Sequence, residues 1–153
     1  MNTYVILHNI RSAHNVGSIF RTCDGSGVSK IYLTGYTPAP VDRFGRESKE
    51  ILKTSLGATK TVSYEVVNDA ISLIKQLRQE EVSIIAVEQT SKATNYETLI
   101  PQGNKAFIFG NEITGIEEDV LECCDQHISI PMRGTKESLN VSVCAGVILF
   151  HFA

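Results

Sequence analysis

Three short segments carry residue types that suit chemistry better than packing. They are Asn15-Val-Gly-Ser-Ile-Phe-Arg21, Phe109-Gly-Asn-Glu-Ile-Thr-Gly115 and Ser138-Leu-Asn-Val-Ser142. In the first, Gly17 and Arg21 are four apart and share one helical face. A glycine there lets a ligand or another backbone approach, with a guanidinium one turn away that can grip a phosphate or ribose through two donors. In the second, Gly110 and Gly115 suggest a tight loop with unusual backbone angles. Glu112 inside it could accept hydrogen bonds from ligand hydroxyls or orient Arg21. In the third, Ser138 and Asn140 stand at the mouth of the last helix. Each segment also has a plainer reading: Asn15 or Ser138 as a helix cap, Glu112 as a solvated turn residue.

Several chemistries are excluded. Gly110-x-x-x-x-Gly115 lacks the Gly-x-Gly start of a dinucleotide fingerprint, and no Lys-Ser/Thr pair follows Gly115 as in a phosphate-binding loop. No Ser/His/Asp order or Cys–His pair stands out; His14 reads as lining a loop, His127 and His151 as structural or surface residues. Cys23, Cys123, Cys124 and Cys144 have no Cys-x-x-Cys spacing and no histidine at ligand distance in sequence, so no metal is expected and a reducing compartment fits.

The elements that must position these segments alternate along the chain. Strands are expected at Tyr4–Leu7, Lys30–Thr34, Thr61–Tyr64, Ser83–Val87, Ala106–Phe109 and His127–Ile130. Helices are expected through Ala13–Cys23, stopped by Gly25 or Gly27, at Glu47–Leu56, and through Val67–Leu77. Gly35 to Arg46 reads as a long loop. Thr114 and Glu117 have capping-box spacing, with Glu118 and Asp119 in the first turn that follows. Leu139 to Phe152 is apolar nearly all round and reads as a buried helix, with strand left open by its β-branched content. Strands separated by helices give one α/β domain over residues 1–153, a mostly parallel sheet covered by helices on both faces. In such sheets ligands bind beyond the carboxyl ends of the strands, where all three segments fall.

Composition agrees with one domain. The 153 residues are 42% hydrophobic, enough for a core. No apolar run approaches a membrane span and the N-terminus lacks a basic, cleavable leader, so a cytoplasmic protein is expected. The net charge of −3 weighs slightly against nucleic acid. Its distribution weighs the other way: residues 1–60 hold eight bases and four acids, the remainder six bases and thirteen acids. One end of the chain can present a basic surface to phosphates.

Taken together and in order, the segments resemble the three motifs of the SpoU (TrmH-type) branch of the SPOUT RNA methyltransferases. His14 to Thr22 resembles the first motif, Phe107 to Gly115 the second, and Ile130-Pro-Met with Ser138 to Val143 the third. The resemblance spans nearly the whole chain. It implies a C-terminal trefoil knot, a homodimer, bound S-adenosyl-L-methionine, and methylation of a ribose 2′-hydroxyl in tRNA or rRNA. By motif matching, Asn15, Arg21, Glu112, Ser138 and Asn140 form the catalytic set. Gly110, Ile130, Met132 and Leu139 hold the cofactor. Larger relatives carry an N-terminal RNA-binding extension; none is expected here, so RNA recognition is expected from the domain itself, with Arg43–Lys53 as the candidate stretch, or from a separate protein. The alternatives are a non-catalytic RNA-binding dimer that keeps the fold, which four intact polar motif residues argue against, and a nicotinamide oxidoreductase, which the missing fingerprint argues against.

Overall fold

A computed structural model describes residues 1–153. Its centre is a seven-stranded sheet in the order β3-β2-β1-β6-β4-β7-β5. The strands are β1 (Thr3–His8), β2 (Lys30–Thr34), β3 (Tyr64–Val66), β4 (Ser83–Val87), β5 (Thr94–Asn95), β6 (Lys105–Phe109) and β7 (Gln126–Ser129). Every pairing is parallel, so the sheet is wholly rather than mostly parallel. The last four residues of β6, Ala106 to Phe109, are continuously apolar and fully buried, as a central parallel strand requires when both its faces are covered.

Two cores lie on the two faces. On one, Val5, Leu7, Phe107 and Phe109 of the sheet meet α1 (Ala13–Ser26), α2 (Lys49–Ser55), α3 (Ala58–Thr61) and α6 (Val141–His151). On the other, Ile6, Ile84 and Ile108 meet α4 (Ala70–Gln79) and α5 (Glu118–Glu122). Alternate residues of one strand feeding opposite cores is the period-two geometry of an extended chain.

Three local expectations change, and one strand is unanticipated. Residues 58–61 form a helical turn, and the adjoining strand begins only at Tyr64. Gly57, at φ 88°, redirects the chain so that Ala58 packs into the core instead of extending. The Thr114–Glu117 capping box does not form, because the Thr114 amide donates to Asn111 Oδ1 at 2.9 Å. Glu117 is itself the residue before α5 and makes no side-chain cap. The short edge strand β5 has no apolar signature and went unrecognised. Helix α6 buries only Ala145, Ile148 and Leu149. Val143, Val147 and Phe150, spaced at one helical stripe, stay 52%, 36% and 59% exposed, so the last helix is half covered rather than buried.

Candidate active site

The site is built at the carboxyl ends of β1, β4, β6 and β7. Strand β1 runs out at His8 and leads through Asn9 to Ser12, which caps α1: its hydroxyl accepts from the Asn15 amide at 3.1 Å. Ser12, not Asn15, is therefore the cap. Asn15 lies one turn into the helix, is buried, and donates its side-chain amide to Glu112 Oε1 at 3.2 Å. The same carboxylate accepts from the Arg11 amide at 3.0 Å and the Ser12 amide at 3.1 Å. Those amides open toward the positive end of the α1 dipole, where a carboxylate is favoured. Burial works against the charge of Glu112 most strongly, but the amides of Arg11, Glu112 itself and Ser12, with the Asn15 side chain, outweigh it and leave its pKa lowered.

Glu112 thus braces the first segment against the second. It does not orient Arg21. Six residues along a helix is a rise of about 9 Å and a net rotation of roughly 240° from Asn15. Arg21 is exposed on α1 and does not line the cavity described below. Gly17, expected to admit a ligand or a backbone, admits a backbone. A Cβ there would stand 2.5 Å from the Ile51 carbonyl of α2.

The second segment is held by its own asparagine. Asn111 Oδ1 accepts from the Ile113 and Thr114 amides at 2.8 and 2.9 Å, and its amide donates to the Asn9 carbonyl at 3.0 Å. Gly115 adopts φ 70°. Gly110 has no room for a side chain, since a Cβ would meet the Gly115 carbonyl carbon at 2.7 Å. The loop is closed by paired Asn111 and Gly115 backbone bonds at 3.0 and 3.2 Å.

Beside this loop lies a cavity of about 320 Å³. Gly110, Ile130, Met132 and Leu139, the residues expected to hold a cofactor, all line it, as do Glu112, Ser138 and Asn140. Its remaining wall includes residues 87–89 at the end of β4, and Cys144. Asn140 is the cap of α6, accepting from the Ser142 amide at 2.9 Å and the Ser142 hydroxyl at 2.6 Å; Ser138 caps nothing. Burial, followed by the Glu88 charge, pushes the Cys144 thiol up to about 12, so it stays protonated. Glu88 and Gln89 are the wall residues that motif reading missed. Glu88 accepts from the Ile116 amide at 3.1 Å and Gln89 donates to the Ile130 carbonyl at 2.9 Å, tying β4 to both motif loops. The sequence signal was their position: both directly follow the expected strand Ser83–Val87, where a parallel sheet binds ligands.

The chain matches the SpoU rRNA Methylase family over residues 2–150. It belongs to that family. Among relatives of this SpoU chain, the 23S rRNA (guanosine-2′-O-)-methyltransferase RlmB of Neisseria meningitidis serogroup B is 34% identical over 145 residues, covering 95% of the chain and 55% of the relative. The tRNA (guanosine(18)-2′-O)-methyltransferase of Aquifex aeolicus is 30% identical over 147 residues, covering 96% of the chain and 66% of the relative. The AdoMet-bound rRNA methyltransferase of Sinorhizobium meliloti superposes with a TM-score of 0.88 at 27% identity, over 97% of the SpoU chain and 54% of that one. The chain therefore spans between about half and two thirds of the relatives it matches. No helix is long and apolar enough to cross a membrane.

Proposed function

We propose that this chain is an S-adenosyl-L-methionine-dependent methyltransferase acting on a ribose 2′-hydroxyl of tRNA or rRNA. One observation carries the reading: Glu112 joins the first motif to the second at the rim of a cavity whose far wall is the third motif. The cavity fits the cofactor in kind. Its volume falls at the lower end of small-molecule sites, about 300–1,000 Å³. Its lining mixes the apolar Ile130, Met132, Leu139 and Val141 with the polar Glu88, Gln89, Ser138 and Asn140. Gly110, Ile130, Met132 and Leu139 would hold the cofactor, which when bound supplies a methyl group activated on a sulfonium.

The proposed catalytic set is Asn15, Arg21, Glu112, Ser138 and Asn140. A guanidinium is always protonated and cannot take the hydroxyl proton. Glu112 is kept ionised by amide donors that already occupy it. The set is therefore assigned to alignment: Asn15 fixed by Glu112, Ser138 and Asn140 facing the cavity, and Arg21 gripping ribose and phosphate, with the 2′-hydroxyl proton released to water as the oxygen gains the methyl group. Alignment alone contributes about 7–11 kcal/mol to the barrier in the best cases.

Arg21 lies off the cavity of its own chain, and the apolar stripe of α6 lacks a cover within it. Both favour a homodimer, which we include in the proposal. The C-terminal trefoil knot is proposed too, supported by β7 lying between the earlier strands β4 and β5. A cytoplasmic setting accords with four cysteines that form no disulfide. Calorimetry and turnover test the reading together. Arg21→Ala is expected to keep the cofactor affinity and lose most methyl transfer; unchanged transfer contradicts Arg21's role, and absent cofactor binding contradicts the reading as a whole.

A further inference from the structure

The loop from Gly35 to Ser48 leaves the carboxyl end of β2, on the sheet edge that carries the motif loops. Its stem is pinned to them. The Tyr36 amide donates to Asn9 Oδ1 at 3.1 Å, and the Tyr36 phenol accepts from the Asn111 side chain at 2.7 Å. Thr37 Oγ1 accepts from the Ile10 amide at 3.0 Å and donates to the Leu7 carbonyl at 2.8 Å. The loop closes at Ser48, whose amide donates to the Pro40 carbonyl at 2.9 Å.

Its tip is a built turn. Val41 and Glu47 form an antiparallel bridge, and the Asp42 amide donates to the Arg46 carbonyl at 2.9 Å. Asp42 Oδ1 accepts from the Phe44 amide at 2.8 Å and the Arg46 amide at 2.9 Å, and Gly45 takes φ 78°. The turn does not bury Phe44. Its side chain is left 66% exposed, with the Arg43 and Arg46 guanidinium carbons 4.8 and 5.0 Å from the ring centroid. Arg46 is tethered by Asp42 Oδ2 at 2.9 Å, while Arg43 has no carboxylate partner.

An exposed phenyl ring fixed by backbone bonds makes no contribution to a core. A flat π-face with two cations beside it is instead what an unstacked nucleobase and its phosphate require. We propose that Phe44 is a stacking platform for one unpaired base of the RNA substrate, with Arg43 free to swing from the ring to the adjoining phosphate and Arg46 held in place by Asp42. This rests on the RNA-methyltransferase reading and gives it a contact for single-stranded substrate. Arg43, Arg46, Lys49 and Lys53 supply the basic surroundings.

The chain has no tryptophan, so Phe44→Trp places a single indole at the platform, which can be excited selectively beside the five tyrosines. We would titrate it with an oligouridylate of about twelve nucleotides and with an abasic strand of equal phosphate number. Strong quenching by the oligouridylate and little by the abasic strand is expected. Phe44→Ala, an exposed change that spares the fold, is expected to weaken oligouridylate binding by about 5- to 150-fold while abasic-strand affinity stays unchanged. Equal quenching by both strands, no quenching, or unaltered affinity in Phe44→Ala overturns the platform. So does loss of self-association in Phe44→Ala by sedimentation, which would give the ring to a second copy of the chain. Cofactor calorimetry on the same variant separates the two levels: parental affinity leaves the methyltransferase reading intact when the platform fails.

Discussion

Replacing Glu112 with alanine removes the acceptor for two main-chain amides and the Asn15 side chain. A hydrogen bond to a charged group contributes about 1.5–3 kcal/mol, and water reaches the half-buried site once the carboxylate is gone. The net loss should be about 3 kcal/mol. For a domain of this size that lowers the melting temperature by roughly 6–12 °C. Glu112→Gln keeps one acceptor and loses the charge, so it should fall about halfway. The pH dependence separates a charge effect from a shape effect. The folded carboxyl pKa is lowered from the ordinary 4.5, so its contribution is present in full above that value and is lost as pH falls through the folded one. Denaturant unfolding of the parent and Glu112→Gln across acid pH should therefore show a stability gap that narrows below about pH 4.5. A gap under about 0.5 kcal/mol at neutral pH, or one independent of pH, would refute Glu112 as the brace between the two motif loops.

Gly17→Ala should destabilise the fold. The clash with the Ile51 carbonyl at 2.5 Å pushes α2 from α1 and outweighs the roughly 1 kcal/mol that alanine gains in a helix; thermal denaturation measures the sign. Gly110→Ala forces the loop off the Gly115 carbonyl carbon, 2.7 Å from the new Cβ, and should weaken cofactor binding at least about tenfold by calorimetry, equivalent to about 1.4 kcal/mol. Cys144, with its thiol pushed up to about 12, should react with iodoacetamide far more slowly in the native protein than after unfolding, as peptide mapping by mass spectrometry can follow.

The parts of the fold legible in the sequence are those where local pattern and tertiary burial demand the same thing. Lys30–Thr34 and Ser83–Val87 are short β-branched runs buried on both faces, and their observed limits coincide with the expected ones. A strand is expected over Thr61–Tyr64, yet a left-handed Gly57 and the burial of Ala58 start a helical turn that holds Thr61, and the strand begins only at Tyr64. At Thr114 a local motif lost to a stronger local donor–acceptor set, the Asn111 side chain. Motif order brought the cavity wall into view, but not who holds whom. The Glu112 brace joins residues 97 to 101 positions apart, and no spacing rule reaches so far. Arg21 shares a motif with Asn15 but not a direction, because six residues do not close a whole number of helical turns. The exposed stripe of α6 was invisible for the opposite reason: its sequence is apolar on every side, and only the packing distinguishes the face against the core from the face left exposed.

The most direct measurement is methyl transfer itself. The protein is incubated with total tRNA and rRNA and methyl-tritiated S-adenosyl-L-methionine, and the digested nucleosides are separated. Label recovered in a 2′-O-methyl nucleoside, and lost when Arg21 is replaced by alanine, is the result expected. Label confined to a base, or none in any RNA while the cofactor binds, would contradict it.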